Sequence, residues 1–354
     1  MIQPIELTPK KNNFIEIPIE DSLTEIINFM VKYSVISVDL NDIHIGRKNH
    51  LKFFLSLINC LCLWMTLLST IMFIKFDQLK MLLANPLVPY EQLDFIGFLF
   101  IAYYSLVSAF KTDLLIEEYK NNLSQIKFLY YLTRNIKSIH KLTNFNYKKF
   151  HRNIHFLNFI LLKISFPVVV WSVLIALFTI VIFTESIFIK LLYPFAVYST
   201  ITFNTTSYSS LPLIYSMLYY YQLRFNQITS QFQIFIKRNI ISPLKFINLI
   251  EEHNQISIEI HKMNLLMKKS VALVFITSSM AIDFLIYLSF YSQSIFYRIF
   301  FQFFAILICL IYISLIVNII KVSNSAHQCY HLICSLVIQR KLSYRIKFKV
   351  KLKW

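Results

Sequence analysis

Asp283 is the one carboxylate set near the middle of a long apolar run, with Thr277, Ser278 and Ser279 just upstream. An ionised carboxylate in hydrocarbon is costly, so it is expected to face a bundle interior or a water-filled cavity. Two readings follow: contact with a ligand or ion, or a structural hydrogen bond to a neighbouring helix. Tyr103, Tyr104, Trp171, Tyr208 and Tyr287 also fall in apolar runs and carry a polar handle on an aromatic body. Such side chains suit a pocket for a small organic ligand. With 34 Phe and 21 Tyr in the chain, ordinary packing or lipid contact is the stronger expectation for any one of them.

Other chemistry is thin. His327, His331 and Cys334 within HQCYHLIC share a helix face, which makes a metal site conceivable. The pattern lacks the second cysteine pair of zinc sites, so a packed helix is expected and no metal or cofactor. Gly46 and Gly97 are the only glycines, which excludes a glycine-rich phosphate loop or dinucleotide fingerprint. No nucleophile–base pair or HExxH stands in the chain, and no enzyme activity is expected. Cys60, Cys62 and Cys309 lie in apolar runs and Cys329 and Cys334 beyond the last one, so no disulfide framework is expected.

The elements that must position these residues are helices. The chain is 56 % hydrophobic with a mean hydropathy of +0.57, too apolar for a soluble domain of its length. Several runs of about 20 apolar residues are each long enough to cross a bilayer. Backbone polar groups in lipid must be satisfied within the segment, and the runs do not alternate as barrel strands do. The fold class is therefore all-α: a polytopic membrane bundle with six spans. They are expected at Phe53–Ile74, Phe95–Ile116, Ile164–Thr184, within Phe195–Tyr221, at Val271–Ser292 and at Ile299–Ile320. Pro167 should kink the start of the third. Residues 1–52 form an N-terminal segment, 53–320 the bundle with helical connections at 117–163 and 222–269, and 321–354 a basic tail.

Charge sets the orientation. Of the 35 Lys and Arg, 31 fall in 1–52, 111–163, 222–269 and 321–354, and 4 fall in the opposite connections. By the positive-inside rule both termini are cytoplasmic. The net charge of +17 thus has a topological origin and does not point to a nucleic-acid partner.

Phe246, Leu249, His253, Ile256, Ile260, Met263 and Met267 recur at spacings of 3 and 4 on a stretch that also carries Glu251, Glu252, Glu259 and Lys262. This is the seam of a packed water-side helix that feeds directly into the fifth span.

At Leu249-Ile250-Glu251-Glu252-His253-Asn254, then Lys262-Met263-Asn264 and the fifth span, the sequence resembles the arthropod gustatory/odorant chemoreceptor superfamily, and its gustatory branch. The cytoplasmic N-terminus, the long second-to-third and fourth-to-fifth connections and the short outer loops agree over residues 50–335. The resemblance implies a plasma-membrane, ligand-gated cation channel built as a homo- or hetero-tetramer and opened by a small-molecule tastant. The seam Phe246–Met267 would belong to a cytoplasmic anchor, and the surroundings of Asp283 would border the ligand pocket. The family also has a pore-lining seventh span with a Thr-Tyr…Gln-Phe signature. Here RKLSYRIKFKVKLKW (340–354) stands instead, and a C-terminally incomplete receptor is expected. The alternative is a small secondary transporter with Asp283 as its coupling carboxylate.

Overall fold

The computed structural model describes residues 20–33, 35, 50–76, 93–120, 142–168, 187–238, 243–291 and 295–339, with isolated helical positions between 170 and 182. Among these residues all regular structure is helical. The helices are α1 (Glu20–Lys32), α2 (His50–Lys75), α3 (Leu93–Tyr119), α4 (Asn144–Asn158), α5 (Ile187–Arg238), α6 (Pro243–Tyr291) and α7 (Ile295–Gln339).

Helices α2 and α3 contain the first two apolar runs and pack on each other. Trp64 Nε1 donates to Thr112 Oγ1 at 3.0 Å across that contact, and Thr66 and Ser199 hydroxyls meet at 2.6 Å where α2 touches α5. The described part of the 117–163 connection contains α4, whose N-terminus is capped by Thr143. Next comes a π-helical segment, Phe159–Ser165, that leads straight to Pro167. Proline has no N–H to offer the carbonyl four residues back and crowds the preceding turn. A wider turn relieves both problems, and the Phe166 N–H bonds to the Leu161 carbonyl, five residues back. The expected kink therefore takes the form of a π segment.

Helix α5 departs from the expected limits of span four. It runs unbroken for 52 residues through Pro194 and Pro212. Its C-terminal half lies antiparallel to the polar helix α4. Asn153 Nδ2 donates to the Tyr219 hydroxyl at 2.7 Å, and the Thr143 N–H donates to Gln227 Oε1 at 2.9 Å. Phe150 stacks on Tyr219 with ring centroids 6.0 Å apart. The stretch from Leu213 to Phe232, partly counted within the fourth span, is thus packed against protein and supplies much of the main core.

Helices α6 and α7 are 49 and 45 residues long. α6 joins the seam and the fifth apolar run without a break. α7 continues past Lys321 into the expected basic tail and, as the packed helix expected at HQCYHLIC, buries Cys329, Ile333 and Leu336 against α5 and α6. Among the described residues, two helical stretches are long and apolar enough to cross a membrane: His50–Met72 and Phe301–Leu336. Only 28 % and 22 % of their most apolar windows are buried, so neither behaves as the enclosed core helix of a soluble protein.

Candidate functional site

The sequence-derived candidates separate into two groups with different fates. In the apolar part, Tyr104 is buried with Leu63, Leu67 and Val107 between α2 and α3. The Tyr103 side chain lies outside the described residues. Tyr208 is buried in α5 with its ring 5.9 Å from Phe166, and Phe166 in turn sits 5.0 Å from Phe29 and 5.4 Å from Tyr33. Tyr208 thus packs on Phe166, which links it to the N-terminal helix. Trp171 is 66 % exposed, and Tyr287 pairs with Tyr291 at 4.4 Å. Asp283, expected to face a bundle interior or a water-filled cavity, is exposed on α6. Asp283 and Tyr287 lie one turn apart on α6, whereas Tyr104 and Tyr208 are buried among different partners.

The cytoplasmic seam converges. Phe246, Leu249, His253 and Ile256 are buried, and Ile260 packs at the edge of the same core. The side chains of Met263 and Met267 lie outside the described residues. Phe246 meets Phe232 of α5 edge-on at 5.8 Å, and His253 sits 5.6 Å from Phe225. The 3–4 spacing aligns these side chains on one side of α6, and α5 offers a matching aromatic row at Phe225 and Phe232.

At the centre of this core stands Arg224, with a side chain fully withdrawn from solvent. Its Nη2 donates to Glu252 Oε1 at 3.0 Å and its Nη1 to the Tyr220 hydroxyl at 3.0 Å. The guanidinium carbon also lies 5.8 Å from the Tyr220 ring centroid. Glu259, two turns beyond Glu252, is buried and acts electrostatically on the same tyrosine. Glu252 and Glu259, read from sequence only as charges carried by a polar helix, thus point inward. A buried guanidinium needs an opposing charge and hydrogen-bond acceptors; the carboxylate and the phenol engage its two terminal nitrogens, while the buried Nε has no partner among the described residues. Burial holds the His253 imidazole below its ordinary pKa, opposed in part by a hydrogen bond with Asn254. The result is a polar weld inside an aromatic core, joining α5 to α6 where both meet α7.

The chain matches no protein-family model, no curated protein and no solved structure. Function must therefore be argued from this arrangement alone.

A second constellation escaped sequence reasoning. Glu25 of α1 pairs with Lys163 at 2.9 Å, accepts from Asn158 Nδ2 at 3.4 Å and lies 3.7 Å from His155 Nδ1. Lys111 of α3, also fully withdrawn from solvent, donates to the Val35 carbonyl at 2.9 Å. The N-terminal helix is thus fastened at its middle and just past its C-terminal end, with Ile26 and Met30 inserted into the main core. Nothing in the sequence marked Lys111, because a basic residue at the inner end of an apolar run reads as a topology signal. Arg224 carried one cue, a tyrosine four residues upstream on the same helix face.

Among the described residues, no three His, Cys, Asp or Glu side chains gather as metal ligands. The five cysteines are free thiols. On α7, Cys329 is buried whereas His327 and His331 are exposed, so HQCYHLIC is one packed face and one outward face of a helix.

Proposed function

We propose that the chain is a subunit of a gustatory-type chemosensory receptor, a multi-pass plasma-membrane protein working as a ligand-gated cation channel opened by small tastants. The observation that carries this reading is the continuity of α5, α6 and α7. Each runs from an apolar stretch without interruption into one base, where Arg224 and Glu252 tie α5 to α6. A rigid helix displaced at one end moves the other, so a ligand that binds two arrangements of the apolar half unequally shifts the base as well.

We assign six spans: α2, α3, the helical stretch that follows the π segment, α5 before Pro212, the apolar end of α6 and the first half of α7. The polar partners of α5 beyond Leu213 favour this earlier limit for the fourth span. The exposure of Asp283 supports an assembly of several subunits. It lies eight residues from the end of α6, which is about 12 Å of helix. At that depth a carboxylate on the outside of one protomer needs water or another subunit against it.

The test is whole-cell recording from cells expressing the receptor, with surface labelling in parallel. A cation current evoked by at least one member of a broad tastant panel is expected. Silence across the panel with the protein confirmed at the surface would overturn the proposal. Proton-coupled uptake lost in Asp283→Asn would point to a transporter instead.

A further inference from the structure

One face of α4 and the π segment combines exposed basic and exposed apolar residues. Phe145, Lys148, Lys149, Arg152, His155, Phe156, Phe159, Ile160, Lys163 and Ile164 are all exposed. They recur at spacings of 1, 3 and 4 and therefore form one continuous stripe. The opposite face carries Phe150, Ile154, Leu161 and Leu162, which are buried. Along the stripe the character changes. Basic residues dominate at the start of α4, and apolar ones dominate where the chain approaches the third span. No Asp or Glu stands anywhere between Glu118 and Glu185. The carboxylate that reaches this region, Glu25, is engaged by Lys163. Lys149 and Arg152 face outward one to two turns further from the apolar end.

We propose that this stripe binds the anionic headgroups of phospholipids in the cytoplasmic leaflet. The inference rests on the membrane topology proposed above. Exposed Phe156, Phe159, Ile160 and Ile164 are poorly suited to water and well suited to the acyl boundary of a bilayer. With the third span beginning after the π segment, Phe159, Ile160 and Ile164 lie in the interfacial layer, whose headgroup part is about 5–8 Å deep. Arg152 stands two turns before Phe159, about 10 Å, and its long side chain can extend back toward the phosphates. Lys148 and Lys149 lie one further turn out, where the negative surface potential of the leaflet still acts. Charge complementarity selects the occupant: a basic stripe without acidic residues, beside an apolar step, matches an anionic lipid and not a zwitterionic one. The same helix packs along α5 through Asn153 and Phe150, so lipid bound on its outer face steadies the base.

The experiment uses the full chain purified in detergent and exposed to equal amounts of dioctanoyl phosphatidylserine and dioctanoyl phosphatidylcholine. Retained lipid is counted by native mass spectrometry. The wild type should retain the serine lipid preferentially. Lys148→Gln/Lys149→Gln/Arg152→Gln should weaken that retention by at least about tenfold, given the contribution of each basic residue near an anionic surface. A control with equal charge loss on the base, Lys237→Gln/Lys245→Gln/Lys262→Gln, should leave it unchanged. Equal retention of the two lipids, or equal loss in both triple variants, overturns the proposal. Alkaline carbonate extraction reads the topology separately. A chain that stays in the membrane pellet without lipid preference sinks only this surface, and a chain that washes off sinks the spans as well.

Discussion

The two halves of α7 share a helix and differ in what surrounds them. Between Ile299 and Ile320, the residues Ile299, Phe303, Ile306, Leu310, Ile313, Val317 and Ile320 form an apolar stripe that the rest of the protein leaves exposed. Beyond Lys321, Ser325, Cys329, Ile333 and Leu336 form a stripe buried against α5 and α6. The first half is apolar because its environment is expected to be lipid. The second half is buried because protein covers it. Mean hydropathy alone cannot separate these causes, and α7 passes as a single apolar stretch from Phe301 to Leu336. A long apolar helix thus carries two messages, and only its neighbours tell them apart.

The base should be the more sensitive of the two regions. The largest expected effect is from Glu252→Leu, which strands a guanidinium with no solvent exposure; loss of about 3–5 kcal/mol is expected. Thermal unfolding in detergent would read it, and Arg224→Met added to Glu252→Leu should recover a large part. A double variant no more stable than the single one would show that the pair is not the weld described here.

Leu310→Lys should act on the other region, at a cost of about 3 kcal/mol in membrane insertion. Insertion can be followed by an engineered glycosylation tag beyond the span. Normal topology and abundance in this variant would mean that the stripe faces water, and the contrast between the halves would collapse.

Acid should weaken the base through His253. Burial lowers its folded-state pKa below the ordinary value of 6.5, so the unfolded chain takes up the proton first. The stabilising contribution is complete above that value and is lost as the pH falls through the folded pKa. The melting temperature of the wild type should drop from pH 7.5 to 5.5, and His253→Phe should flatten part of that drop. Identical pH profiles would remove the histidine from the account.

The smallest effect sharpens the contrast by using one chemistry in both regions. Ile256→Val, at a fully buried position, should cost about 0.5–1.5 kcal/mol. Ile313→Val on the exposed stripe should change stability by less than about 0.5 kcal/mol. Equal costs would place Ile313 in an interface with another protein surface.

The all-helical class was legible because long apolar runs without alternation leave the backbone no other way to satisfy its polar groups. The seam from Phe246 to Ile260 was legible too, since a spacing of 3 and 4 is a local property that survives into any packing. Pro167 announced a disturbed turn for the same local reason. The inward turn of Glu252 and Glu259 was not legible. Their helix face looks polar until Arg224, 28 residues earlier than Glu252, is brought beneath it by the pairing of α5 with α6. Nor could the sequence show that Asp283 lies exposed, or that Tyr208 is buried against Phe166. Periodicity and composition determined which stretches are helices and which faces avoid water. Only the tertiary structure decided which charges are neutralised by partners and which apolar faces are left uncovered, because both depend on residues distant in the chain meeting within a few ångströms.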